Sequence, residues 1–186
     1  MIVDILIYGF ISIQIVEGAG YFFHRFVNHE SKWGVAICFP HWVHHIIYPA
    51  QDMRRDEYHG AGDWTFYLLY FLCCFSVGML VPLGILDWKN YLIMFIIAST
   101  WGYIGQSYFH TVFHLSDHLL HRFDWFQTLM RLHRNHHLGP WNYGVTFFWW
   151  DHVCRTFNDS VRLCPENQFP NVPEHIITKW HTKTAT

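Results

Sequence analysis

An all-α integral membrane helical bundle, carrying a histidine-rich helical cap on its cytosolic side, is the fold class that this sequence predicts. Three observations carry the prediction. Of the 186 residues, 52% are hydrophobic and 20% aromatic while only 14% are charged, which is too apolar for an ordinary soluble domain. Long stretches lack charge altogether. Sixteen histidines are present, and eleven of them gather in four short clusters, HRFVNH at 24–29, HWVHH at 41–45, HTVFHLSDH at 110–118 and HRNHH at 133–137. The length suits one domain with one core and one site. A net charge of −2 offers no surface for nucleic acid, so no nucleic-acid partner is expected.

Taken in chain order, residues 2–23 form the first apolar stretch, interrupted by Asp4, Gln14 and Glu17. With no basic leader and no small-residue cleavage site, it reads as a retained anchor helix. Glu17 is costly against lipid and is expected to face the bundle interior. Pro40 stands just before HWVHH, a position that fits the first turn of a new helix. Residues 49–63 are polar and glycine-containing, a loop.

Residues 64–86 and 91–109 are free of Asp, Glu, Lys and Arg, and each is long enough to cross about 30 Å of hydrocarbon as a helix. Pro82 interrupts the former, which membrane helices tolerate. Asp87 to Asn90 make the turn between them, with Trp64, Trp88 and Tyr91 as interfacial anchors. His110, His114 and His118 recur every four residues, so the helix is expected to continue past Phe109 as a ladder of imidazoles, with His121 adjacent. Residues 124–137 read as an amphipathic helix, opened by Asp124 and closed by Gly139 and Pro140. The domain is thus placed at 1–157, followed by an irregular cytosolic tail over 158–186 that contains Pro165, Pro170 and Pro173.

Three crossings at 2–23, 64–86 and 91–109 put residues 24–63 and 110–186 on one side, with eleven of the twelve Lys and Arg residues; only Lys89 lies opposite. The positive-inside bias then makes the protein multi-pass, with all four clusters facing the cytoplasm, in a bacterial cytoplasmic membrane or a eukaryotic endoplasmic reticulum. Cys38, Cys73, Cys74, Cys154 and Cys164 show no CxxC pairing and read as reduced apolar residues.

Imidazole is the commonest transition-metal ligand, and spacings of three and four residues set ring nitrogens on one helical face. The candidate ligands are His24, His29, His41, His44, His45, His110, His114, His118, His133, His136 and His137, more than one four-coordinate ion can use, so a two-metal centre is expected. His24 and His29 stand about 140° apart on an ideal helix and need a local bulge to converge. The third cluster can contribute His110 with His114 or His114 with His118, the second pair lying nearer HRNHH. Asp117 and Asp151 are candidates to orient an imidazole N–H. The run Phe147 to Trp150 would line a channel or form an interfacial belt. Imidazole-only ligation suits iron, zinc, copper or nickel rather than magnesium or calcium. Beside a membrane, the accessible substrate is a lipid offering unactivated C–H bonds, which calls for oxygen chemistry at a redox-active pair of irons; zinc is the alternative occupant of a purified form.

The residues also carry a family resemblance. His24, Arg25, Phe26 and His29 resemble the HRFxxH segment of membrane fatty acid 2-hydroxylases, with Glu17 and Tyr21 upstream. HWVHH with Pro49, Asp52 and Arg54 is similar to their HxxHH with Pro, Asp and Arg; HRNHH with Gly144, Thr146, Trp150, Asp151 and Thr156 is similar to their closing pattern. The resemblance runs from about Glu17 to Thr156 and implies the fatty acid hydroxylase superfamily, which also holds sterol desaturases and carotenoid hydroxylases. It implies two iron ions, O2, a lipid substrate, and electrons from a separate carrier such as cytochrome b5 or a ferredoxin. Hydroxylation of a fatty acyl or sphingolipid chain is the leading expectation. Desaturation or oxidation of a sterol or other isoprenoid is the alternative within the superfamily, and a membrane metal-binding or transport protein the alternative outside it.

Overall fold

The computed structural model describes residues 2–30, 35–60, 64–160, 172, 173 and 176. Among them the fold is all-α: the one β-type pairing is an isolated bridge between Arg55 and Leu115. Helix α1 (Ile2–Phe22) passes without a break into a π-helical segment, Phe23–His29. Helix α2 (Val35–Ile47) follows, then α3 (Trp64–Gly78) and α4 (Trp88–Trp101). The latter continues through a second π-helical segment, Gly102–Tyr108, into the short α5 (Phe109–Phe113). A 3-10 turn at Leu119–Arg122 leads into α6 (Asp124–Leu138), and α7 (Trp149–Val153) is a further short helix.

Along α1 the large side chains Ile2, Leu6, Ile7 and Phe10 point outward, while Gly9, Ser12, Gly18 and Gly20 are buried. Small residues on the inner face let backbones approach: a Cβ on Gly9 would meet Ile97 Cδ1 of α4 at 2.9 Å. Glu17 is buried as expected. Its Oε1 accepts from Trp101 Nε1 (2.7 Å) and Gln106 Nε2 (3.0 Å), and its Oε2 from Phe147 N (3.2 Å), so one carboxylate ties α1 to the end of α4 and to the chain before α7.

Of the expected crossings, Ile2–His29 is the one helix among the described residues that is long and apolar enough to span a membrane. The expectation for 64–86 is corrected. Regular helix there ends at Gly78, about 22 Å at 1.5 Å per residue, and residues 79–86 form turns with Gly84 at φ +68°. Pro82, which cannot donate a helical hydrogen bond, sits within these turns. Asp87 caps α4 by accepting from Lys89 N at 2.8 Å. Pro40 does not open α2 either; it lies inside a helix already formed at Val35.

The imidazole ladder also stops short. His114 is the C-cap of α5, with φ −102° and ψ 0°, and His118 is extended. Helix α6, by contrast, matches its expected bounds closely. On its buried face Phe126 packs with Val112, Phe113 and Val145, and Leu132 is buried as well. Most of the 158–186 segment lies outside the described residues, as do Cys164, His175 and His181. Val172 and Ile176 are described, and both pack on Trp42 of α2.

Candidate metal centre

Nine of the eleven candidate ligands converge on two adjoining groups. One comprises His24, His29, His41, His45 and His136, the other His44, His114, His133 and His137; within each, the ligating atoms lie within 4.8 Å of one another. Each group could hold a metal ion. The rings of His45 and His137 stack at 4.1 Å between centroids and join the two.

Helical geometry explains the division. In HxxHH the first and last histidines are four residues apart and share a face, while the middle one is turned about 100° from its neighbour. On α2, His41 and His45 face the five-membered group and His44 the four-membered one. On α6 the assignment is reversed: His133 and His137 face the four-membered group and His136 crosses to the other. Each motif therefore serves both groups. The π-helical stretch solves the spacing of His24 and His29, since i→i+5 bonding stacks residues five apart and brings the rings to 5.2 Å.

Backbone carbonyls orient the rings. His24 Nδ1 donates to Tyr143 O at 2.7 Å, His136 Nδ1 to Trp141 O at 2.9 Å and His114 Nδ1 to Met53 O at 3.1 Å. A neutral imidazole protonated at Nδ1 has a bare lone pair at Nε2. In the five-membered group, His41 Nε2 stands 3.1, 2.8 and 3.0 Å from the Nε2 atoms of His24, His29 and His45. His136 Nε2 lies 3.1 Å from that of His29 and 3.2 Å from that of His45. In the other group His133 Nε2 is 3.0 Å from His114 Nε2 and 3.2 Å from His137 Nε2.

Each neutral imidazole carries one proton and one lone pair, so nitrogens packed this closely turn lone pairs toward one another, and burial keeps the rings neutral. The imidazoles of His41, His44, His45, His114, His133, His136 and His137 are held well below their ordinary pKa, first by loss of solvent and then by neighbouring imidazoles or, for His114, by His110 and Arg55 as well. A cation at the centre of each group resolves the crowding. Around an ion with bonds of about 2.1 Å, ligand nitrogens at right angles stand about 3.0 Å apart, close to the separations present. His44 adds a second sign: it is 1% exposed, yet neither ring nitrogen has a hydrogen-bond partner. Ligation would satisfy one of them.

His110 flanks the four-membered group without joining it, with its ring 4.7 Å from His44 and 4.9 Å from His133, and burial pushes its pKa down to about 4. His118 lies apart; its Nε2 is 3.0 Å from Tyr108 Oη and its Nδ1 accepts from Leu120 N. His121 Nε2 bonds Val112 O, and His59 and His152 are exposed. Asp117 is exposed, whereas Asp151 is buried. Phe147 and Trp149 are exposed, Phe148 buried. Backbone carbonyls of Met53, Trp141 and Tyr143 were not foreseeable as partners, because a carbonyl leaves no mark in residue type.

A family model described as fatty acid hydroxylase matches residues 9–156, a stretch that contains both histidine groups. The chain belongs to the fatty acid hydroxylase family. Among curated proteins and among solved structures no significant match is found. Membership and geometry agree on a metal-dependent enzyme of this family. The loop after α2 shows how local sequence supports it: Arg55 N donates to His114 O at 2.8 Å and Ser116 N to Arg55 O at 2.7 Å. This pairing fixes the chain beside Met53, whose carbonyl orients His114.

Proposed function

We propose that this fatty acid hydroxylase family member is a membrane-bound di-iron oxygenase that hydroxylates an unactivated C–H bond of a lipid, a fatty acyl or sphingolipid chain, with O2 and electrons from a separate carrier such as cytochrome b5 or a ferredoxin. The observation that carries this reading is the pair of adjoining, all-imidazole groups at the end of an apolar helix long enough to cross a membrane. His24, His29, His41, His45 and His136 would hold one iron and His44, His114, His133 and His137 the other, with His110 beside them. Two irons, when bound, supply oxygen activation strong enough to attack a C–H bond.

The chain's own part is placement. Carbonyls of Met53, Trp141 and Tyr143 aim Nε2 atoms inward, and the packed rings exclude water. A cavity of about 140 Å³ between α1, α3 and the α4 rod supports an apolar, chain-like substrate; Val16, Gly20, Tyr70, Cys73, Gly102 and Gln106 line it. Gly20 and Gln106 each stand four residues before a histidine of the site region, His24 and His110. The charge bias of the sequence supports a multi-pass arrangement with the metal groups on the cytoplasmic face.

Product mass decides the reaction. Iron-loaded protein supplied with reductant, O2 and fatty acyl, sphingoid or sterol lipids should add about 16 mass units to an acyl or sphingoid lipid. A loss of about 2 units, or reaction on a sterol alone, would move the assignment to the desaturase and sterol branch. Lipids left unaltered under all these conditions would contradict the oxygenase reading.

A further inference from the structure

The stretch from Trp141 to Tyr143 contributes no ligand, yet it orients two ligands of the same group. His136 Nδ1 donates to Trp141 O and His24 Nδ1 to Tyr143 O, at 2.9 and 2.7 Å. These residues belong to neither helix nor strand, and Asn142 between the two carbonyls adopts φ +52°, a left-handed value that asparagine takes more readily than most residues other than glycine. Something must hold the stretch in that shape.

Asp151 of α7, with no exposed surface, does so. Its Oδ1 accepts from Tyr143 N at 2.8 Å and its Oδ2 from Gly144 N at 2.9 Å, so one carboxylate grips two successive N–H groups directly behind the orienting carbonyls. Thr156 Oγ1 donates to Oδ1 at 2.8 Å. Tyr21 Oη, 2.9 Å from Thr156 Oγ1, can donate to that oxygen, and it accepts from Arg25 Nη1 at 3.0 Å. The chain of donors therefore runs in one direction, from the residue next to His24 down to Asp151. Asn142 Nδ2 bonds Leu132 O of α6 and Asn158 O, which locks the stretch from its other side. The four-membered group has a separate support: His114 takes its carbonyl from Met53, in the loop that Arg55 pins.

We propose that Asp151 is a positioning residue for one metal of the pair. By clamping the N–H groups of Tyr143 and Gly144 it fixes the carbonyls of Trp141 and Tyr143, and through them the Nε2 atoms of His24 and His136 in the five-membered group. The four-membered group does not depend on it. This inference rests on the two-metal reading above and adds that the two ions are held by independent outer supports, so that one can be lost without the other.

The test is metal binding by the full-length, detergent-purified chain, titrated with Zn²⁺ and read as ions per chain and as two dissociation constants. Wild type should take up two. Asp151→Asn keeps the size but offers one oxygen and one NH2 group where two N–H groups and a hydroxyl need acceptors, so one of the backbone donors loses its partner. One dissociation constant should rise roughly 10–100-fold while the other stays put. Thr156→Val, a milder change, should weaken the same ion by less, and Thr156→Ser should restore it; these variants carry the test should Asp151→Asn fail to fold. Combined with His133→Ala, which damages the four-membered group, Asp151→Asn should leave no tight ion. Equal weakening of both ions, or two unaltered constants in Asp151→Asn and Thr156→Val, would overturn the proposal. Fewer than two ions on wild type would instead bring down the two-metal reading itself, and the inference with it.

Discussion

A buried imidazole carries one proton and one lone pair, and His44 has a hydrogen-bond partner for neither. Its cost without metal is that of an unsatisfied polar group, about 1–3 kcal/mol. Replacing it with an apolar residue of similar size should therefore act in opposite directions in the two states. His44→Leu should leave the metal-free chain as stable as wild type or more so, measured by thermal unfolding in chelator, and should weaken one metal. Loss of stability in the chelated state would contradict the assignment. Gly144 makes a second prediction at this scale. A Cβ there would meet Phe147 O at 2.8 Å and Asp151 Oδ2 at 2.9 Å, so Gly144→Ala should destabilise the fold by about 1–3 kcal/mol, seen as a lower denaturant midpoint. At the level of single residues the site was largely legible, because HxxHH on a helix dictates which rings share a face. The choice among His110, His114 and His118 was not, since it depended on where α5 stops, and α5 stops at Phe113.

Elements differ in how plainly residue type announces them. Helix α6 has an acidic first turn and a glycine past its end, and it spans Asp124–Leu138 as its pattern predicts. The stretch 64–86 is uncharged throughout; its Gly78, Pro82 and Gly84 mark the end of regular helix at Gly78, but membrane helices tolerate such residues, so residue type alone does not place that end. Both π-helical segments were equally hidden, although the five-residue gap between His24 and His29 demanded some departure from α geometry. Glu17 joins elements rather than belonging to one. Its removal in Glu17→Ala would strand the donors of Trp101, Gln106 and Phe147, and should cost about 3 kcal/mol or more, whereas Glu17→Gln, which keeps an acceptor oxygen, should cost less. Equal thermal stability of the two variants would show that these hydrogen bonds do not hold α1 in place.

For the whole molecule, the concentration of neutral imidazoles makes stability a function of pH. Burial lowers their pKa values in the folded chain, His110 to about 4, against about 6.5 when unfolded. Below pH 6.5 the unfolded chain thus binds more protons than the folded one. The stabilisation is complete above that value and declines as pH falls toward the folded-state values, by as much as about 1.4 kcal/mol per pH unit for each imidazole. Several such groups acting together make the loss of stability steeper than one alone would. Metal-free protein should therefore unfold sharply in mildly acidic buffer, while bound metal, which competes with protons for the same nitrogens, should shift that transition to lower pH. A metal-free chain that stays folded to pH 4 would contradict the buried, neutral state of the site.

On the proposed function, two separate imidazole groups each hold an iron. This is tested most directly by the iron-to-chain ratio of protein purified from its own membrane, in wild type and in variants that dismantle one group at a time. Wild type should give two irons per chain, and His29→Ala with His41→Ala, or His133→Ala with His137→Ala, should each give one. A wild-type ratio near zero, or a ratio indifferent to either pair of substitutions, would contradict the account.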